Sequence, residues 1–273
     1  MPFNLPGTLV PLYALFNPRL LLPSLTIADI RQLDFAALRK AGYRAVVFDK
    51  DNCLTIPHHD KLVPELKDAW RECGETFGPG NVLIVSNSAG TAEDPSLLQA
   101  ESVTHHLRVP VLRHRSPKPS YSSADAVRAY FSSLSAPVAP HELVVVGDRI
   151  FTDVVLAKRI GQSESVFERI ASRLWLPTRG KVVEKGGEDA DERRVPLAIW
   201  TTGVWQRESM AMRYLETRLV GTVEKWIDGA ADERRALEAK FMKPKVAEKT
   251  EGSAEYNKSK TPWLSAWLPW RRA

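Results

Sequence analysis

Val46-Val47-Phe48-Asp49-Lys50-Asp51-Asn52-Cys53-Leu54-Thr55 is an apolar run that ends abruptly in two aspartates two residues apart. β-Branched and aromatic residues without polar alternation read as a strand buried on both faces. Such strands occupy the middle of parallel sheets, and α/β proteins place their sites at the carboxyl ends of those strands. Asp49 and Asp51 therefore fall at the end of a central strand. A buried carboxylate is costly unless paired, and a hard divalent cation, which takes oxygen ligands, is a fitting partner. By itself, Asp-x-Asp after a strand is more often an Asp/Asn turn.

Three further stretches shift that balance. Val82-Leu83-Ile84-Val85 is an apolar strand ending in Ser86-Asn87. Lys118 stands between prolines in Ser116-Pro117-Lys118-Pro119. A fourth run, Val144-Val145-Val146, ends in Gly147-Asp148-Arg149-Ile150-Phe151-Thr152-Asp153. This order and spacing resembles the haloacid dehalogenase superfamily of aspartate-nucleophile phosphatases. The resemblance implies an α/β fold, a doubly wound, Rossmann-like parallel sheet. Its strand order would be 5-4-1-2-3, counted from a first strand at Tyr43–Phe48.

The resemblance also implies roles. Asp49 would be the nucleophile and form an aspartyl-phosphate. Asp51 would be the general acid that protonates the leaving alkoxide and then activates water, and would give its backbone carbonyl to the metal. Ser86 and the backbone N–H of Asn87 would bind phosphoryl oxygens. Lys118 would neutralise the phosphoryl group and hold Asp49. Asp148 would ligate the metal, and Asp153 would orient a metal water or Lys118 without ligating directly. Arg149, directly after Asp148, is a candidate substrate contact. The cation would be Mg²⁺, since every candidate ligand is oxygen. The need for it is electrostatic. Two unit charges 4 Å apart interact by about 4 kcal/mol at an effective dielectric of 20, so an anionic phosphate repels a carboxylate nucleophile until a cation bridges them. A zinc site is disfavoured: His58, His59, His105, His106 and His114 lack metal-binding spacing and cysteine company.

A narrower likeness is to the fungal mitochondrial phosphatidylglycerophosphate phosphatases. It rests on Lys50 and Asn52 within the first motif, on Val85-Ser86-Asn87-Ser88-Ala89-Gly90, and on Val146 to Asp153. It extends over about residues 1 to 230. It implies hydrolysis of phosphatidylglycerophosphate to phosphatidylglycerol for cardiolipin synthesis, on the matrix side of the mitochondrial inner membrane, by a peripheral enzyme. Two readings compete: a soluble phosphatase of the same chemistry acting on a nucleic-acid end or phosphoprotein, and a non-catalytic membrane-surface scaffold. No aromatic-basic platform for nucleic acid is evident, and the intact acidic motifs oppose the scaffold.

Composition is compatible with this. The chain has 273 residues, 44% apolar, with a formal charge of +5. That is enough for one large domain with appendages, and the mild basicity suits anionic surfaces without arguing for nucleic acid. Cys53 and Cys73 make neither a disulfide framework nor a zinc pattern.

Residues 1–28 are apolar, free of Asp and Glu, and broken by Pro2, Pro6, Pro11, Pro18 and Pro23. A spanning helix needs about 20 apolar residues without breakers, so this segment reads as a membrane-interface arm or a packed arm rather than a span. Residues 29–204 form the expected catalytic domain, without a large cap because the linkers after the first two strands are short. Thr26–Ala41 is expected as a helix, Val109–Leu112 as a third strand, and 162–195 as a charged insertion. Residues 205–230 read as an amphipathic helix, with Met212, Leu215, Leu219, Val223 and Trp226 as its apolar stripe. That stripe would pack on the domain, on a sister subunit in a homo-oligomer, or at a membrane interface. Residues 231–273 read as a flexible polar linker and a tail rich in Trp and Arg, which suits an anionic membrane surface.

Overall fold

The computed structural model describes residues 17–162, 195–208 and 210–244. The apolar arm up to residue 16, most of the charged insertion and the Trp/Arg-rich tail lie outside the described residues. The chain divides into a compact unit ending at Lys243 and a separate stretch from Pro244.

Five strands form one parallel sheet: β1 Leu25–Ile27, β2 Ala45–Phe48, β3 Val82–Ile84, β4 Leu143–Gly147 and β5 Leu197–Thr201, in the order β1-β5-β4-β2-β3. Strand β2 is central, with Val46 in register with both Val82 and Val144. Its unbroken apolar run is explained by two cores. Val47, Leu83 and Val145 face one apolar cluster, while Val46, Phe48, Ile84 and Val146 face the other. On the first side lie α4 (Tyr121–Ser132) and α5 (Val155–Gly161), through Val127, Phe131 and Ile160. On the second lie α1 (Phe35–Lys40), α2 (Lys67–Phe77) and α3 (Leu98–Leu107), through Leu38, Cys73 and Val103. Each fully buried side chain of this kind contributes about 1.5–3 kcal/mol. The doubly wound sheet is therefore as the sequence suggests, with β1 added outside β5.

Several elements differ from expectation. Thr26–Ala41 is not one helix. Leu25 and Ile27 alternate into the core as strand β1, and Asp29 and Asp34 then restart the chain by accepting the N–H groups of Arg31 and Ala37. A period of two over three residues was hidden inside an apparent helical period. The third strand is reduced to one bridge, Ile84 to Val111, because Pro110 has no N–H to offer a ladder. The Asp94–Pro95 pair, a helix-start signal in the sequence, does not begin α3: the helix starts at Leu98, and the Asp94 carboxylate accepts the N–H groups of Gly90, Gln99 and Ala100.

The last two helices are α6 (Met210–Trp226) and α7 (Ala230–Phe241). The buried row of α6 is Arg213, Glu216, Val220 and Val223, so the expected stripe is rotated and Met212 and Leu215 are exposed. Where a flexible linker was expected from 231, α7 packs back on the domain. Phe241 is buried edge-on against Tyr43, and Asp34 N–H donates to the Phe241 carbonyl. Among the described residues no helix is long and apolar enough to cross a membrane.

Cys53 and Cys73 are buried and unpaired, and burial pushes both thiols above their ordinary range. Only the thiolate is nucleophilic. An aqueous thiol reagent is therefore expected to label neither in the native protein and both in denaturant; rapid native labelling of Cys53 would show that its loop opens.

Candidate active site

The site stands at the carboxyl ends of β2, β3 and β4. The Asp49 N–H donates to the Val146 carbonyl at 2.8 Å, which continues the ladder one residue past β2. Asp148 follows β4 directly. Asp153 comes back to the same place because residues Ile150–Val154 make a wide π-helical turn. Gly147 permits this approach: a methyl group there would overlap the Asp153 carboxylate. Gly147→Ala is therefore expected to lose about 1–3 kcal/mol of stability by overpacking, together with activity. Chemical denaturation and turnover measure this; a variant matching the wild type on both would refute the close approach.

One carboxylate oxygen each from Asp49, Asp148 and Asp153 lies within 4.8 Å of the others. Lys118, 2% exposed, places its Nζ 2.6 Å from Asp49 Oδ1 and 2.7 Å from Asp153 Oδ1. The second oxygen of Asp153 accepts the Arg149 N–H at 3.1 Å. Asp153 is thus engaged on both oxygens, and it joins Lys118 to the turn.

Burial pushes the Asp49 carboxyl up to about 6, with Asp153 and Asp51 adding to the rise and Lys118 opposing it. Burial also raises Asp148 well above the usual carboxylate range, with Asp49 and Asp153 contributing and Arg213 and Arg149 pulling the other way. Lys118 is held above its ordinary value by Asp153 and Asp49, against the effect of burial. The acids are crowded beyond what the adjacent cations neutralise. An all-oxygen, anionic donor set of this kind fits a hard divalent cation.

Asp51 does not join that group. Its carboxylate takes the Ser88 hydroxyl at 2.7 Å, Lys50 Nζ at 2.8 Å and the His58 N–H at 3.1 Å. Asn52 sits in the left-handed region at φ 58°, which Asn tolerates, and accepts the Gln206 N–H at 3.1 Å. The tight loop after β2 is thereby tied to the chain beyond β5.

Ser86 is fully buried, 2.9 Å from Ser88 Oγ. Asn87 faces Lys118: its Oδ1 accepts the Lys118 N–H at 2.6 Å, and its Nδ2 donates to the Lys118 carbonyl at 3.4 Å. Arg149 places Nε 3.5 Å from the buried Glu216. Sequence reasoning missed several participants. Ser88 lay inside the quoted turn. His114, weighed above as a metal ligand, bridges the Ser86 and Ser116 carbonyls at 3.0 and 2.7 Å. Arg213 binds the Asp148 carboxylate. Glu216 accepts the Phe151 N–H at 3.2 Å. The only sequence signal for the last two was their spacing from Val220 and Val223.

Comparison with known proteins adds a family. The model described as mitochondrial PGP phosphatase matches residues 5–169. The Saccharomyces cerevisiae protein named mitochondrial phosphatidylglycerophosphatase GEP4 is 37% identical over 158 residues, 58% of this chain and 83% of that protein. The Chlamydomonas reinhardtii protein named chloroplastic phosphatidylglycerophosphate phosphatase 1 is 40% identical over 146 residues, 53% of this chain and 52% of its own. The Schizosaccharomyces pombe protein named probable mitochondrial phosphatidylglycerophosphatase is 29% identical over 170 residues, 59% of this chain and 80% of that one. No solved structure matches.

Proposed function

Because the chain belongs to the mitochondrial PGP phosphatase family, we propose that it hydrolyses phosphatidylglycerophosphate to phosphatidylglycerol and phosphate, with Asp49 as nucleophile. The observation that carries the reading is the convergence of Asp49, Asp148 and Asp153 around Lys118.

Asp49 and Asp148 are the residues that would hold the cation, which we take to be Mg²⁺. Bound there, it supplies charge compensation for the phosphoryl group beside the carboxylates. Lys118 fixes one Asp49 oxygen and leaves the other to attack phosphorus. The new Asp49 oxygen–phosphorus bond forms as the bond from phosphorus to the glycerol oxygen breaks, in line. Asp51, two residues on and outside the acid group, gives the leaving alkoxide its proton and then takes one from the water that hydrolyses the aspartyl-phosphate. Ser86 and the Asn87 N–H are assigned to the phosphoryl oxygens, and Arg149 to the substrate's remaining negative charge. Asp153 keeps Lys118 in place.

Among the described residues, the segments after β2 and β3, residues 49–66 and 85–97, carry no inserted domain. A site without a cap domain there suits a substrate that stays in its bilayer. Met210, Met212, Tyr214 and Leu215 are exposed on the outer face of the helix whose inner face reaches Asp148, with basic Arg207 and Arg218 in the same part of the chain. These features support peripheral docking on an anionic membrane without a span, and the reading places the enzyme on the matrix side of the mitochondrial inner membrane.

The test is turnover by the purified chain on phosphatidylglycerophosphate in vesicles against a soluble phosphomonoester, with and without Mg²⁺, alongside vesicle flotation. Strong preference for the lipid, dependence on Mg²⁺ and flotation with anionic vesicles are expected. Equal turnover of both substrates without flotation would favour a soluble phosphatase.

A further inference from the structure

Helix α6 presents charge inward. Arg213 and Glu216 occupy its buried row, and Glu216 is 0% exposed. Ionised side chains are not buried on a helix face unless partners receive them. Both partners here lie on the β4 end of the site. Arg213 Nη2 binds Asp148 Oδ2, and Nη1 lies 3.5 Å from the Asp148 carbonyl. That carbonyl also accepts the Trp200 indole N–H at 3.0 Å. Glu216 accepts the Phe151 N–H and lies 3.5 Å from Arg149 Nε. Val220 and Val223, one and two turns further on, seal the same row against the domain.

The family model stops at residue 169, some forty residues before this helix begins. The matched region therefore gives α6 no role, yet the helix supplies a direct side-chain partner of a candidate metal ligand. We propose that Arg213 is a positioning residue: by engaging one oxygen of Asp148 it fixes the orientation in which that carboxylate is offered to the divalent cation. A charge-assisted guanidinium–carboxylate bond sets the plane of the carboxylate as well as its place, and groups that hold a ligating side chain commonly change metal affinity by about 10–100-fold when removed. Glu216 seats the helix on the Ile150–Val154 turn, so Arg213 arrives from a fixed direction. Simple repulsion between guanidinium and cation predicts the opposite sign, tighter binding once Arg213 is gone, so the two accounts separate cleanly.

This inference rests on the reading of Asp148 as a metal ligand, and the experiment distinguishes the two. Mg²⁺ binding to the full chain is measured by titration calorimetry without substrate for wild type, Arg213→Met, Arg213→Lys and Asp148→Asn, with thermal unfolding in chelator identifying which variants fold. Arg213→Met is expected to weaken Mg²⁺ binding by about 10–100-fold. Arg213→Lys should recover only part of the loss, because a lysine gives a point charge without the planar fork. If Arg213→Met does not fold, Arg213→Lys decides alone. Folded Arg213 variants that bind Mg²⁺ as tightly as wild type, or more tightly, while Asp148→Asn loses binding, overturn the proposal and leave the metal-ligand reading standing. An Asp148→Asn protein that binds like wild type overturns both.

Discussion

Asp49→Asn is expected to lower kcat by about a millionfold, the scale of loss seen when a covalent nucleophile is removed from an otherwise intact site. The amide keeps the shape of the carboxylate but lacks the negative oxygen that must attack phosphorus. The rest of the arrangement should survive, since Lys118 retains Asp153 as a partner at 2.7 Å. Two measurements read this out. Steady-state turnover on phosphatidylglycerophosphate gives the loss. Rapid acid quench with labelled substrate gives its cause: wild type should carry acid-stable, base-labile phosphate on the protein, and the variant none. A variant within about a hundredfold of wild type would point to direct attack by water, and Asp49 would then be only a cation ligand.

Lys118→Met is expected to damage stability as well as chemistry. Lys118 is 2% exposed and contacts two buried carboxylates. Removing one partner of a buried ionic set commonly costs about 3–5 kcal/mol, because the remaining charges stay buried without compensation. Here Asp49, Asp148 and Asp153 would share one enclosure with Arg213 as the cation on Asp148. Denaturant unfolding in chelator should show that loss, and added Mg²⁺ should restore part of it by binding the same oxygens in the folded state. Activity should fall with it, since the Lys118 ammonium holds Asp49 Oδ1 at 2.6 Å. A variant as stable as wild type in chelator would mean that Asp49 or Asp153 simply takes up a proton, and that the lysine holds the site less firmly than its contacts suggest.

The central strand, its two flanking apolar layers and the convergence of Asp49, Asp148 and Lys118 were legible in the chain. Val46 to Phe48 and Val144 to Val146 are apolar at every position, and only a strand covered on both faces makes that pattern stable in a soluble domain. Two carboxylates at the ends of such strands must meet, because β2 and β4 are neighbours in register from Ala45–Leu143 to Phe48–Val146. The edges were less legible. β1 has three residues, too few to distinguish a strand period from a helical one, and Pro110 weakened the strand expected beside β3.

What the chain alone determined about this protein is the sheet and the acids at its crest, since burial on both faces and turn chemistry are local properties of each segment. What only the tertiary structure decided is which face of α6 turns inward. A helical period counts Met212 and Leu215 as core along with Leu219 and Val223, but the space beneath the first half of the helix is lined by Asp148, Arg149 and the Phe151 N–H. Ionic partners already buried there draw in Arg213 and Glu216, so Met212 and Leu215 are left outside while Leu219 and Val223 still pack inward. That exchange depends on groups some sixty-five residues away in sequence, so no window along the chain contains it.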